Sequence, residues 1–260
     1  MTDISAAPQS KPIIQPLSQS DVRAALAEGW RDFRTAPSFG LFFSAFYVFG
    51  GILIFLQFGV IAQSWWIVPI AVGFPLVGPF TAVGLYEVSR RLETGAPLSW
   101  PAIVGVVLNE KDRQIPYMAV VAFMILTLWL FLAHVIFALF FGLKAMTHIN
   151  ESLHIFYSVN GVMMALVGSA VGAALALALF ATTVIGMPML LDREIDIVSA
   201  MIHSVTAVRE NPGPMLTWGV IVGVSLIVAM IPLFLGLFIV LPILGHATWR
   251  LYRRAITFPD

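Results

Sequence analysis

The chain has 260 residues, 59% of them hydrophobic and only 11% charged, with a mean hydropathy of +0.92. A soluble domain carries about a quarter charged residues, so this composition excludes an ordinary water-soluble fold and points to the membrane class. Fourteen basic residues balance fourteen acidic ones, which gives no bulk attraction for nucleic acid, and the lack of cysteine excludes disulfides, thiol catalysis, thiolate metal sites and iron–sulfur ligation.

Residues 1–17 are polar and proline-bearing, with Asp3 and Lys11 and no apolar core. They read as a disordered cytoplasmic tail, neither a secretory signal nor a transit peptide. From Val22 the apolar residues Val22, Ala25, Leu26, Gly29, Trp30 and Phe33 follow helical spacing behind Ser18 or Ser20 as N-cap, the pattern of an amphipathic interfacial helix. An uncharged block over 35–86 follows. A bilayer crossing needs roughly 20 residues, so this block divides near Gln63-Ser64-Trp65-Trp66, giving helix 1 over 39–61 and helix 2 over 66–88.

A second amphipathic stripe, Trp100, Ile103, Val104, Val107 and Leu108, follows Ser99 and leads into helix 3 (117–142) and helix 4 (156–187). A third, Ile197, Val198, Met201, Ile202, Val205 and Val208, follows Asp192 and leads into helix 5 (215–230) and helix 6 (232–250), with the break near Met230-Ile231-Pro232. Charge decides for six spans. Six place thirteen of the fourteen basic residues on one side, with Lys144 alone opposite, and the positive-inside rule makes that side cytoplasmic. Both termini then lie in the cytoplasm.

Each amphipathic stripe ends in Arg-x-x-Pro: Arg34/Pro37, Arg113/Pro116 and Arg209/Pro212. Proline disfavours helix at the residue before it, so a surface helix stops there and the chain turns into the membrane. The arginine sits where lipid phosphates lie. Pro79, Tyr86, Arg90 and Arg91 correspond to Pro242, Trp249, Arg253 and Arg254 at a constant offset of 163. The expected fold is therefore an all-α membrane protein: six transmembrane helices as three parallel hairpin repeats, each preceded by an amphipathic interfacial helix. The repeats span 18–97, 98–191 and 192–254, and 255–260 is a short tail.

The pair Asp192-Arg193, the run Asn211-Pro212-Gly213-Pro214-Met215, the run Leu241-Pro242-Ile243-Leu244-Gly245-His246-Ala247-Thr248-Trp249-Arg250-Leu251-Tyr252-Arg253-Arg254, the run Gly84-Leu85-Tyr86-Glu87-Val88-Ser89-Arg90-Arg91 and the run Gly29-Trp30-Arg31-Asp32 together resemble a family of uncharacterised proteobacterial integral membrane proteins, a domain-of-unknown-function family. Some members are loosely labelled as cytochrome c oxidase subunits. The resemblance covers most of 20–254 and implies a multi-pass inner-membrane protein without implying an activity. A haem–copper catalytic subunit needs several histidines facing one centre. Of the five histidines here, only His134 and His246 fall within the spans, so a catalytic oxidase role is excluded while an accessory one is not.

Several residues are candidate functional or structural sites. His134 is an ionisable group in helix 3, read chiefly as an interhelical hydrogen-bonding residue. His246 lies one turn before Arg250 and is read chiefly as structural. Trp249 closes the C-terminal motif. Glu87 and Arg250 occupy equivalent repeat positions with opposite charge and are expected to face each other. Gly161, Ala165, Gly168, Gly172 and Ala176 give helix 4 a small-residue packing seam. His148, Glu151 and His154 drift around a helix and offer no fourth ligand, so no metal and no cofactor are expected. There is no phosphate loop, nucleophile elbow or intramembrane carboxylate pair.

The expected function is therefore non-catalytic: an accessory, assembly or scaffold component of the bacterial inner membrane, linked to a respiratory oxidase through the family's labels. Its partners are the lipid bilayer and another membrane protein complex, and no nucleic acid. The alternative is a small-solute or lipid transporter built on a pseudo-threefold hairpin repeat. Against it stand the few polar groups at the midplane, among them Ser44, Thr127, Asn160, Thr182 and Thr183. A membrane-embedded enzyme would need titratable groups converging at one depth, which the sequence does not offer.

Overall fold

A computed structural model of the chain describes residues 12–56, 67–142 and 158–259. The described residues are almost wholly helical. In chain order they form β1 (Ile13–Ile14), α1 (Gln19–Thr35), α2 (Pro37–Leu56), α3 (Ile67–Thr94), α4 (Trp100–Asn109), a 3-10 turn (Glu110–Asp112), α5 (Ile115–Phe141), α6 (Val159–Thr183), α7 (Gly186–Asp192), α8 (Ile197–Glu210), α9 (Pro212–Met230), α10 (Leu237–Ala255) and β2 (Ile256–Thr257). The expected break at Gln63–Trp66 and the His148, Glu151 and His154 set lie outside the described residues.

Among the described residues, four helical segments are long and apolar enough to cross a membrane: Pro37–Leu56, Ile115–Phe141, Val159–Asp192 and Pro212–Met230. They match expected helices 1, 3, 4 and 5. The helices at the other two positions, α3 and α10, carry Glu87, Arg90, Arg91 and Glu93, and Arg250, Arg253 and Arg254, in their last turns, and are not among those four. The break between α9 and α10 falls at residues 231–236, where expected. Leu233 and Phe234 adopt positive φ there, at 50° and 65°, a conformation costing a non-glycine residue about 1 kcal/mol. The Phe234 ring abuts Gly51 of α2 and packs on the cluster of Val48, Ala229 and Leu237, and this burial offsets the strain.

Helices α1, α4 and α8 stand at the positions of the three expected surface helices. Ser18 caps α1 through a capping box with Asp21. Ser99 caps α4 by position, without a side-chain hydrogen bond. The cap of α8 is corrected: it is Asp196, which accepts from Ser199 N–H, while Asp192 ends the short helix α7. Each corner proline opens the next helix, Pro37 and Pro212 as first residue and Pro116 as second, where proline loses no helical hydrogen bond. The first and third corners share one backbone geometry, with Ala36 at φ −134°, ψ 55° and Asn211 at φ −124°, ψ 52°. The second differs because a 3-10 turn intervenes.

The tails are corrected in part. Ile13–Ile14 pairs antiparallel with Ile256–Thr257, so residues 12–17 are not a loose tail, and 1–11 lie outside the described residues. Asn211, buried at the third corner, locks this clasp. Its side chain accepts from Leu17 N–H at 2.6 Å and donates to the carbonyls of Gln15 and Ala207.

The chain divides into two compact units. The first comprises Met1–Ala119 and Ala181–Asp260. Its core gathers Phe39 and Phe43 of α2, Leu85 and Val88 of α3 and Ile103 of α4, with Trp218, Trp249 and Tyr252 among its largest fully buried side chains. Helix α1 lies on α10 so closely that Gly29 faces backbone atoms of Ile243 and Ala247. The second unit, Val120–Phe180, holds α5 beyond Ala119 and most of α6. Here the Trp129 ring lies over Gly172. Ala165, Gly168 and Gly172 of the expected seam line a groove of about 560 Å³ shared with α5, and Ala176 lines a second of about 250 Å³. Gly161 of the same seam is buried, and the other four small residues form the floor of these grooves, with Trp129 of α5 against Gly172.

Candidate functional site: a buried polar brace

The polar residues of the first unit concentrate where α1, α10 and the C-terminal turns of α3 meet. Asp32 sits on the buried face of α1 with Val22, Ala25, Gly29 and Phe33, only 3% exposed. A carboxylate at that depth needs partners. Arg250 of α10 donates to it through both arms of its fork, at 2.9 and 3.0 Å, the bidentate geometry that makes such pairs strong. Ser89 of α3 donates a third hydrogen bond to Asp32, at 3.0 Å. The same hydroxyl lies 2.8 Å from His246 Nδ1. Its one proton goes to Asp32, so the network assigns the Nδ1 proton to His246, which donates to Ser89. His246 Nε2 is buried and has no hydrogen-bond partner among the described residues.

This order, carboxylate to hydroxyl to imidazole, is not that of an acyl-transfer triad, in which the imidazole lies between the other two and removes the hydroxyl proton. Here the hydroxyl proton is committed to a carboxylate that an arginine already neutralises, and Ser89 is fully buried. The arrangement joins three helices.

The expected Glu87–Arg250 pair does not form. Glu87, fully buried, instead holds Arg90 and Arg91 of its own helix at 2.7 and 2.6 Å. Arg250 is taken instead by Asp32 of α1. Outside this centre Trp249 donates its indole N–H to Glu93 at 2.9 Å. Arg253 donates to Glu93 at 3.0 Å and reaches Asp192 at 3.5 Å, and Tyr252 donates to Asp192 at 2.8 Å. Burial pushes the Tyr252 phenol up, and the Asp192 carboxylate beside it adds to the shift. Arg254 donates to Glu28 at 2.8 Å, which holds the Glu28 carboxyl below its ordinary value. At the second corner Arg113 holds Glu110 and Glu194. Burial raises the Glu110 carboxyl, and the Arg113 bond pulls the other way.

Of the other expected residues, His134 is exposed on α5 with Nδ1 2.6 Å from the carbonyl of Leu130, one turn back on its own helix. Among the described residues no group of three His, Asp or Glu side chains is placed to hold a metal ion. Asp32 and Ser89 were not singled out from the sequence. The readable signal was Asp32 itself, an acid on the apolar stripe of an amphipathic helix. Three of the runs that carry the family resemblance, Gly29–Asp32, Gly84–Arg91 and Leu241–Arg254, contribute to this one brace.

Long apolar helices and a charged, cross-linked end define an integral multi-pass membrane protein. Residues 67–192 match the model of a family of unknown function described as "Predicted integral membrane protein (DUF2189)". The run Gly84–Arg91 falls inside that match; Gly29–Asp32 and Leu241–Arg254 fall outside it. No curated protein and no solved structure matches the chain.

Proposed function

We propose that the protein is a non-catalytic scaffold or accessory component of the bacterial inner membrane, with six spans and a braced polar face in the cytoplasm. The observation that carries this reading is the Asp32–Arg250–Ser89–His246 brace. Its charged and hydroxyl groups are buried and bound to one another, so they fix the relative placement of α1, α3 and α10 and leave no hydroxyl free to attack a substrate. The shared backbone geometry of the first and third corners supports the hairpin repeat. The surface helices α1, α4 and α8 then form a collar at the headgroup level.

The test is a pull-down of the tagged chain at native level in mild detergent, read by mass spectrometry against untagged membranes. The expected result is stoichiometric recovery of one membrane protein complex, with a respiratory oxidase the first to look for. Recovery of the chain alone with a co-purifying metabolite would overturn the reading in favour of a transporter.

A further inference from the structure

Beside the brace, the last turns of α3 and α7 and the Trp249–Arg253 turn of α10 line an open cavity of about 350 Å³. Its charged lining consists of Arg90, Arg91, Arg193 and Arg253 with Glu87, Glu93 and Asp192. Four guanidiniums against three carboxylates leave one positive charge uncancelled.

The carboxylates hold the arginines in place. Glu87 grips Arg90 and Arg91, and Glu93 and Asp192 grip Arg253. Arg193 lies over the Phe258 ring at 4.2 Å. Each guanidinium offers about five N–H donors in a rigid fork. The protein engages only Nε and Nη2 of Arg90, Nε and Nη1 of Arg91 and Nε and Nη1 of Arg253. Among the described residues Arg193 meets the Phe258 ring and comes no nearer to a carboxylate than 3.7 Å, from Asp192. The cavity is thus lined by ordered forks with donors to spare, and ordering them in advance favours binding. Planar guanidinium forks match phosphate oxygens two at a time. The indole of Trp249, fixed by its bond to Glu93, adds an apolar wall for the carbon skeleton of a ligand.

We propose that this cavity binds a monoanionic phosphate group, carried either by a lipid phosphodiester headgroup or by a soluble phosphodiester. The single negative charge cancels the single surplus positive charge. The lipid source follows if this end of the helices lies at the cytoplasmic surface. Binding itself does not depend on that topology, nor on the scaffold role.

The test uses the full chain in neutral detergent, titrated with phosphatidylglycerol and, as a lipid without phosphate, diacylglycerol, and read by native mass spectrometry. One phosphatidylglycerol is expected to bind per chain, at least tenfold tighter than diacylglycerol. Arg193→Gln and Arg253→Gln are each expected to weaken it about tenfold, while Arg23→Gln, on exposed α1 surface, leaves it unchanged. Arg193 is 47% exposed on its side chain, so its replacement keeps the fold, which the thermal midpoint checks. Displacement of the lipid by glycerophosphoglycerol, a soluble phosphodiester with the same single charge, assigns the site to soluble phosphodiesters; retention of the lipid assigns it to headgroups. Equal binding of diacylglycerol, or wild-type binding by both pocket variants, overturns the proposal.

Discussion

Replacing Asp32 with alanine is expected to destabilise the protein by about 3–5 kcal/mol, the usual penalty for breaking a buried ion pair from one side. The Arg250 side chain, only 12% exposed, would keep its charge and lose both hydrogen bonds, and Ser89 would lose its acceptor. The penalty comes from stranding those groups more than from losing an attraction. Asp32→Ala combined with Arg250→Met should therefore recover more than half of the loss, because neither charge is then buried alone. Denaturant unfolding in mixed micelles measures both. A loss under about 1 kcal/mol for the single variant would mean that water reaches Arg250 and that the brace holds nothing together.

Gly29→Ala sets two effects of opposite sign against each other. Alanine in a helix gains about 1 kcal/mol over glycine. At this position, however, an added Cβ would lie 2.6 Å from the Ile243 carbonyl oxygen, 2.7 Å from the Ala247 nitrogen and 2.8 Å from the Ala247 Cβ. Two of those atoms are backbone and cannot rotate away, so α1 must lift from α10. Overpacking typically costs 1–3 kcal/mol. The lift would also stretch the Asp32–Arg250 bonds one turn further on, so a net destabilisation of about 2–3 kcal/mol is expected. Gly105→Ala in α4 is the control. Nothing lies within 4 Å of its added Cβ, and that variant should match the parent or exceed it by up to about 1 kcal/mol. Equal stability of the Gly29 and Gly105 variants, by thermal melting in detergent, would contradict the close α1–α10 contact.

What could be read from the sequence follows from which forces act locally. The corners were legible because proline disfavours helix at the residue before it and is at home in a first helical turn, and Pro37, Pro116 and Pro212 each stand in one. The start of α1 was legible because Ser18 and Asp21 form a capping box within four residues. The start of α8 was displaced because Asp192 follows an apolar run and resembles a cap, whereas that run is itself a short helix, Gly186–Asp192, and the cap is Asp196. The polar brace is a matter of tertiary neighbours. Equivalence within a repeat set Glu87 against Arg250, yet in three dimensions Asp32 of α1 reaches Arg250, and Glu87 turns to the arginines one turn along its own helix. The seam on α6 was legible as small residues; that large side chains such as Trp129 meet it across a groove was not, because spacing on one helix says nothing about its neighbour.

Six spans with the charged end in the cytoplasm is the claim on which the proposed role stands, and cysteine accessibility tests it directly. The chain has no cysteine, so single substitutions report cleanly. Lys111→Cys, in the 3-10 turn at the second corner with a side chain 66% exposed, and Ile231→Cys, in the α9–α10 turn and 76% exposed, should lie on opposite sides. In spheroplasts a membrane-impermeant maleimide is expected to label Ile231→Cys at once and Lys111→Cys only after lysis. Labelling of both before lysis, or of neither, would place the two turns on one side of the membrane and contradict the six-span account.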